Sequence, residues 1–229
     1  MMVQTHVDDV NTFHYSKIVA VRLKKKPKGS YHHPDLEHAL VDAALETIRA
    51  EGIAGLTLRG VGARLGVSRT ALYRHFAGKS ALLARLAREG FHSFRNQLQE
   101  AVDSARGDGR DPLEEMGIAY VGFAMANQAH YQTMFGGGWD GWDRHPDLVA
   151  EADAAFMVLL NAIGEEQRRS RIAAGDPLRI AQVIWSSVHG MATLAMAGQL
   201  KPDTGGTKLD LERLIRFNAR VLRKGLARQ

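Results

Sequence analysis

The chain is 229 residues long, 45% hydrophobic, with a formal net charge of +5 and no cysteine. That length holds one large or two small domains with a substantial core, and the missing cysteine excludes disulfides and thiolate metal sites. No apolar run approaches the roughly 20 residues that span a bilayer, and the N-terminus lacks the basic and apolar segments of a secretion signal; the expectation is a cytoplasmic protein with no membrane partner.

Residues 1–30 show no sustained periodicity and carry the run Lys24-Lys25-Lys26-Pro27-Lys28-Gly29. Pro27 and Gly29 oppose a helix there, so a flexible basic tail is expected. Lys24, Lys25 and Lys26 are candidates to follow a DNA backbone or enter a minor groove. For residues 1–20 a solubilising tail or an overextended start fits as well. A first helix beginning near Asp35 carries Leu36, Leu40, Ala44 and Ile48 as one apolar stripe.

The segment from Thr57 to Lys79, TLRGVGARLGVSRTALYRHFAGK, is the most informative part of the chain. Leu58, Val61 and Leu65 fall on one face of a short helix. Thr57 suits its N-cap, and Gly66 suits a left-handed C-terminal stop. Ser68 then caps a second short helix that turns Leu72 and Phe76 inward, leaving Arg69, Thr70, Tyr73 and Arg74 on other faces. Two short helices around a glycine turn, with polar and basic residues at the start of the second, have the layout of a helix-turn-helix whose second helix enters the DNA major groove.

A long helix is predicted over 78–105, with Leu82, Leu83, Leu86, Phe91, Phe94, Leu98 and Val102 inward. Pro112, after the break at 106–111, suits the first turn of a new helix. Helices are predicted at about 112–127, 129–135, 146–172, 177–198 and 209–227. They are separated by Gly136-Gly137-Gly138, Gly175-Asp176-Pro177 and Gly205-Gly206, with no convincing strand. Charge divides along the same line. From Arg22 to Glu100 there are 14 Lys and Arg against 7 Asp and Glu; from Ala101 onward there are 15 against 16. The positive field therefore lies on the third of the chain that would meet a polyanion.

The segment from Tyr31 to about Phe94 resembles the DNA-binding domain of the TetR family of bacterial transcription regulators. The resemblance rests on Ala50-Glu51-Gly52, Leu56-Thr57, Gly66-Val67-Ser68, Leu72-Tyr73-Arg74-His75-Phe76 and Lys79 as a set. Two positions depart from the pattern: Gly62 stands where alanine is usual, and Pro34 follows Tyr31-His32-His33. In the C-terminal half, Trp185-Ser186-Ser187-Val188-His189-Gly190 resembles the Trp-His-Gly signature of one TetR subgroup. The resemblance implies an all-α fold: a basic tail (1–30), a three-helix helix-turn-helix domain (31–77), a connector helix (78–105) and a ligand-binding and dimerisation domain (112–229).

The function so implied is a ligand-responsive regulator, a repressor that binds a palindromic double-stranded DNA operator as a homodimer and is released by a small-molecule effector, with no cofactor. The DNA candidates are Arg69 and Thr70 for base edges, with Thr57, Ser68, Tyr73, Arg74, His75 and Lys79 beside them, several holding phosphates. Candidates for an effector pocket are Tyr120, Phe123, Trp185 and His189; the plain alternative for Trp185 and His189 is packing at a helix contact. The loop from Gly136 to Trp142 could serve as a lid. A dimer surface is expected on Ile180, Val183, Ile184, Val188, Met191, Leu211, Leu214, Ile215, Asn218, Val221 and Leu222. Catalysis is not expected: no serine sits on a strained nucleophile turn, and the histidines lack metal-ligand spacing.

Overall fold

The computed structural model of the chain describes residues 33–137, 139, 141–200 and 210–226. The tail with Lys24, Lys25 and Lys26, the residues Gly138 and Asp140, and the Gly205-Gly206 break lie outside them. Among the described residues the fold is all-α: α1 (His33–Gly55), α2 (Leu58–Leu65), α3 (Arg69–His75), α4 (Lys79–Gly107), α5 (Pro112–Ala126), α6 (Gln128–Phe135), α7 (Pro146–Arg168), α8 (Pro177–Met196) and α9 (Leu211–Leu226), with one 3-10 turn at Trp142–Arg144.

The local signals act where the residue types place them. Gly52 adopts φ 71°, which breaks α1 one turn before its end; the conformation suits glycine because no Cβ clashes there. The Thr57 hydroxyl accepts from the Gly60 N–H, and Gly66 closes α2 at φ 66°. The Ser68 hydroxyl accepts from the Ala71 N–H at the start of α3. Each such cap is worth about 1 kcal/mol. Gly62 has a packing reason as well: a Cβ there would lie 2.8 Å from Leu72 Cδ1, so the glycine lets α3 close onto α2.

Two apolar cores form. The first joins α1, α2 and α3 through Leu40, Ile48, Leu56, Val61 and Leu72. The second joins α4 to α9 around Phe91, Phe94, Val121, Phe123, Leu148, Ile163 and Ala181. Helix α4 belongs to both: Leu82, Leu83 and Leu86 enter the first, while Ala84, Ala87, Phe91, Phe94, Leu98 and Val102 enter the second. Each fully buried leucine in such a core contributes about 1.5–3 kcal/mol relative to exposure. Helix α6 bridges the two, because Ala129 is packed in the first core and Tyr131 and Met134 in the second. Gly90 permits the close crossing of α4 and α6, where a Cβ would sit 2.6 Å from Met134 Sδ and 3.2 Å from His130 Cβ.

Charges tie the periphery. Arg85 on α4 pairs with Glu37 on α1 and with Glu89. Arg216 on α9 binds Glu114 and Glu115 at the start of α5, and Arg223 pairs with Asp111, the N-cap of α5. The buried Glu166 has its two oxygens 3.4 Å from Arg171 and 3.7 Å from Arg223.

The apolar stripe expected on the last two helices divides in two. Ile184, Val188 and Ile215 are buried inside the chain's own core, and Ile180, Met191, Leu211 and Leu222 pack against it. Asn218 is turned to α8, where its carbonyl accepts from the Ser187 hydroxyl at 2.8 Å. Of that stripe, Val183 and Val221 are the exposed members, and Phe217 and Leu194, which the periodicity did not single out, are exposed with them. The apolar arc of each helix is wider than one contact, so a single stripe merged an inner face with an outer one.

Candidate DNA-reading surface and effector cavity

Helix α3 presents one face to solvent. Thr57, Ser68, Arg69, Thr70, Tyr73 and Arg74 are all exposed on it or beside it. The Arg69 guanidinium lies 5.5 Å from the centroid of the Tyr73 ring, a cation–π contact that steadies a long side chain without neutralising it. Two other DNA candidates are turned inward. His75 is half-buried with its ring nitrogen 3.9 Å from a Glu37 carboxylate oxygen on α1. The Lys79 ammonium donates to the Ile53 carbonyl at 2.8 Å, fastening the first turn of α4 to the end of α1.

A cavity of about 420 Å³ opens between α4, α5, α7 and α8, within the range of about 300–1,000 Å³ usual for small-molecule sites. Its inner wall is apolar and aromatic, with Phe91, Phe94, Met116, Met134 and Phe135. Asp153, Leu178, Gln182 and Trp185 line it and are also solvent-exposed, so they form its rim. Of the four residues proposed from sequence, Tyr120 and Trp185 line the cavity. Phe123 does not. It is 2% exposed and packs on the far side of Phe94, with ring centroids 5.1 Å apart. Its inward helical position marked it as apolar and buried, and the same signal describes core and pocket wall equally.

His189 stands behind Tyr120 and organises the polar end of the site. Its Nδ1 is 2.9 Å from the Tyr120 hydroxyl and 2.8 Å from that of Tyr131, and the two hydroxyls are 3.2 Å apart. The Trp185 indole N–H donates to the Tyr120 oxygen at 3.2 Å. Burial lowers the His189 pKa, so the imidazole is neutral at pH 7 and Nδ1 can accept a hydroxyl proton. Burial also raises both tyrosines, keeping them protonated. A relay from Trp185 to Tyr120, Tyr131 and His189 satisfies these groups together, as buried polar atoms require. Tyr131 was legible in the sequence only as one aromatic among many.

The glycine-rich loop is anchored rather than loose at its described residues. The Trp139 indole donates to the Thr133 carbonyl at 3.2 Å, and Trp142 stacks edge-on against Phe91 at 5.6 Å, lining the cavity. Just beyond, His145 Nε2 lies 3.2 Å from the Ser80 hydroxyl in the first turn of α4. The cavity wall and the first turn of α4 are thus one short segment apart.

The histidine environments predict a pH dependence of stability. Burial lowers His189; it also lowers His130, against the Glu89 carboxylate and together with the Arg49 guanidinium. A folded pKa below the unfolded value of about 6.5 means that the unfolded chain takes the proton first, so stability is full above about pH 6.5 and declines as the pH falls below it. The melting temperature should therefore drop between about pH 7.5 and pH 5.5, and His130→Gln with His189→Gln should flatten that slope. An equally steep slope in the double variant, followed by circular dichroism, would show that neither imidazole is held neutral.

Comparison with known proteins agrees with this geometry. The family model described as "Bacterial regulatory proteins, tetR family" matches residues 40–86, and "Tetracyclin repressor-like, C-terminal domain" matches residues 113–221. The chain is 32% identical over 156 residues to the uncharacterized HTH-type transcriptional regulator YobS of Bacillus subtilis, covering 68% of this chain and 76% of that one. A structure of a protein of unknown function from Rhodococcus sp. RHA1 superposes with a TM-score of 0.73 at 30% identity, over 88% of this chain and 100% of the other. The class A tetracycline repressor from transposon 1721 of Escherichia coli is 46% identical over 50 residues, 22% of this chain and 23% of the repressor. Among the described residues no helix is long and apolar enough to cross a membrane, and no group of three or more acidic or histidine side chains could hold a metal ion. With a helix-turn-helix domain and a separate helical domain joined through α4, the chain belongs to the TetR family of DNA-binding transcription regulators, which are not enzymes.

Proposed function

We propose that this regulator is a repressor that binds a palindromic operator as a homodimer in the cytoplasm and is released when a small molecule fills the cavity of its 112–229 domain. The observation that carries the proposal is the double membership of α4: Leu82, Leu83 and Leu86 support the DNA-facing helices, and Phe91 and Phe94 on the same helix line the cavity. A ligand shifts this equilibrium only by its differential affinity for the two arrangements. Arg69 and Thr70 read base edges, and Thr57, Ser68, Tyr73 and Arg74 hold phosphates and set the register. His75 and Lys79 act mainly by fixing α3 and α4 against α1, and Lys79 keeps two N–H bonds for a phosphate. Tyr120 and Trp185 meet the effector, with His189 orienting Tyr120. The Trp185-His189-Gly190 signature of the Trp-His-Gly subgroup supports the same assignment of this helix to the ligand domain.

The homodimer reading is supported by the outer faces of α8 and α9. Val183, Gly190 and Leu194 share one side of α8 at spacings of seven and four, and Phe217 and Val221 share one side of α9. Val183, Phe217 and Val221 are each more than half exposed in the single chain, and a Cβ at Gly190 would meet nothing within 4 Å. Apolar side chains standing in such a row mark an association surface. A two-fold pairing would place two recognition helices on the half-sites of a palindrome.

Selection of bound sequences from a random DNA pool, followed by Arg69→Ala, tests the DNA assignment. The substitution should cost about 1–3 kcal/mol on the selected site and relax base preference; unchanged selectivity would assign base reading elsewhere. A charge at Val221 tests the dimer. Val221→Glu should give monomers in sedimentation, since a carboxylate buried unpaired costs several kcal/mol, and operator affinity should collapse with it. Sedimentation as an unaltered dimer would move the interface to another face.

A further inference from the structure

We infer that the cavity between α4, α5, α7 and α8 takes a lipophilic cation, an aromatic-sized molecule with a delocalised or shielded positive charge, and that Asp153 on α7 is the carboxylate that selects it. The inference rests on reading this cavity as the effector site and adds the chemical class of its ligand.

Three observations meet here. First, the described residues that line the cavity include no lysine, arginine or histidine; Asp153 is their one charged member. Asp153 is exposed at the rim and forms no ion pair among the described residues. Second, the wall is built of rings. Phe91 stands edge-to-face with Phe135 at 5.3 Å and with Trp142 at 5.6 Å, and Phe156 stands against Trp185 at 5.8 Å. Ring faces present the negative part of the quadrupole to a ligand and attract cations within about 6 Å. Third, the polar end of the site is already committed: the Trp185 N–H donates to Tyr120, and the Tyr120 hydroxyl sits within the Tyr131 and His189 relay.

Among the described residues, an anion entering this space would find no counter-charge and only the Gln182 amide at the exposed rim as a donor, so it would forfeit most of its hydration without replacement. The neutral state of His189 and Tyr120 removes the remaining sources of charge at the inner end. A strongly hydrated small cation would lose as heavily, since the wall offers it no oxygen cage. A large cation is weakly hydrated, gains from apolar burial, adds cation–π attraction, and meets Asp153 at the mouth.

Tetraphenylphosphonium and tetraphenylborate share size and shape and differ in the sign of their charge. Calorimetric titration of the full chain without DNA should show one phosphonium bound per chain, at least about tenfold tighter than the borate. Asp153→Asn should weaken phosphonium binding by about three- to tenfold, the range of a partly solvated ion pair with an aromatic-bound cation. Asp147→Asn, an exposed acid of the same helix outside the cavity, should leave it unchanged. Ala152→Trp, which fills the cavity, should abolish binding. Equal or tighter binding of the borate, indifference to Asp153→Asn, or binding that survives Ala152→Trp would overturn the inference. The two readings fail separately. Saturable phosphonium binding that leaves operator affinity unaltered would remove the effector role and keep the ligand class. Release of the operator by the borate and not by the phosphonium would keep the effector role and overturn the class.

Discussion

Everything in this molecule depends on α4 being shared by two cores. A helix packed on one core can shift with little consequence elsewhere, whereas α4 carries Leu82, Leu83 and Leu86 into the core beneath the recognition helix and Phe91, Phe94, Leu98 and Val102 into the core around the cavity. Close-packed interiors resist small displacements. On the proposed reading, a tilt of α4 imposed at Phe91 is passed through Leu82 to α2 and α3, which pack on the same core. Gly90 sits between the two sets, and its missing Cβ lets α6 lie against α4 at the level where the cores meet. Arg85 on α4, paired with Glu37 on α1, fastens the upper end of the same lever.

Function follows from what each core leaves uncovered. The first core uses the inner sides of α2 and α3, which frees Arg69, Thr70, Tyr73 and Arg74 to face outward. The second core is incomplete, and the gap is the cavity. Its chemistry is uneven: rings along the wall, a hydrogen-bonded relay of Trp185, Tyr120, Tyr131 and His189 at one end, and the Asp153 carboxylate at the mouth. Trp142 joins this wall to the turn that ends at His145, whose ring meets Ser80 in the first turn of α4. The cavity wall thereby touches α4 at two levels, through Phe91 and Phe94 and, beyond Trp142, through the contact of His145 with Ser80.

Much of this was legible in the sequence because the signals were local. Thr57, Gly66 and Ser68 specify caps and a left-handed stop through their own side chains or lack of one, and Pro112, Pro146 and Pro177 open helices where a missing N–H costs nothing. The helix-turn-helix and the length of α4 could be read the same way. Features that depend on tertiary direction could not. Tyr120 and Phe123 are three residues apart on α5, yet one lines the cavity and the other is sealed behind Phe94. Lys79 and His75 look like surface cations of a DNA-binding face, but the Ile53 carbonyl and the Glu37 carboxylate draw them inward from more than 20 residues away. Phe217 reads as one more apolar residue of α9 until Ile215 is seen to take the inner face, leaving Phe217 outside.

The central claim is that cavity occupancy and the placement of the recognition helices are a single variable set by α4. The absence of native cysteine allows a spin label at one engineered site, Ala63→Cys on the exposed side of α2, and pulsed dipolar spectroscopy then reads the label separation across the dimer. Filling the cavity with tetraphenylphosphonium should shift the distance distribution away from that of the operator-bound protein, and adding operator should shift it back. An identical distribution with the cavity empty and demonstrably full would contradict the account.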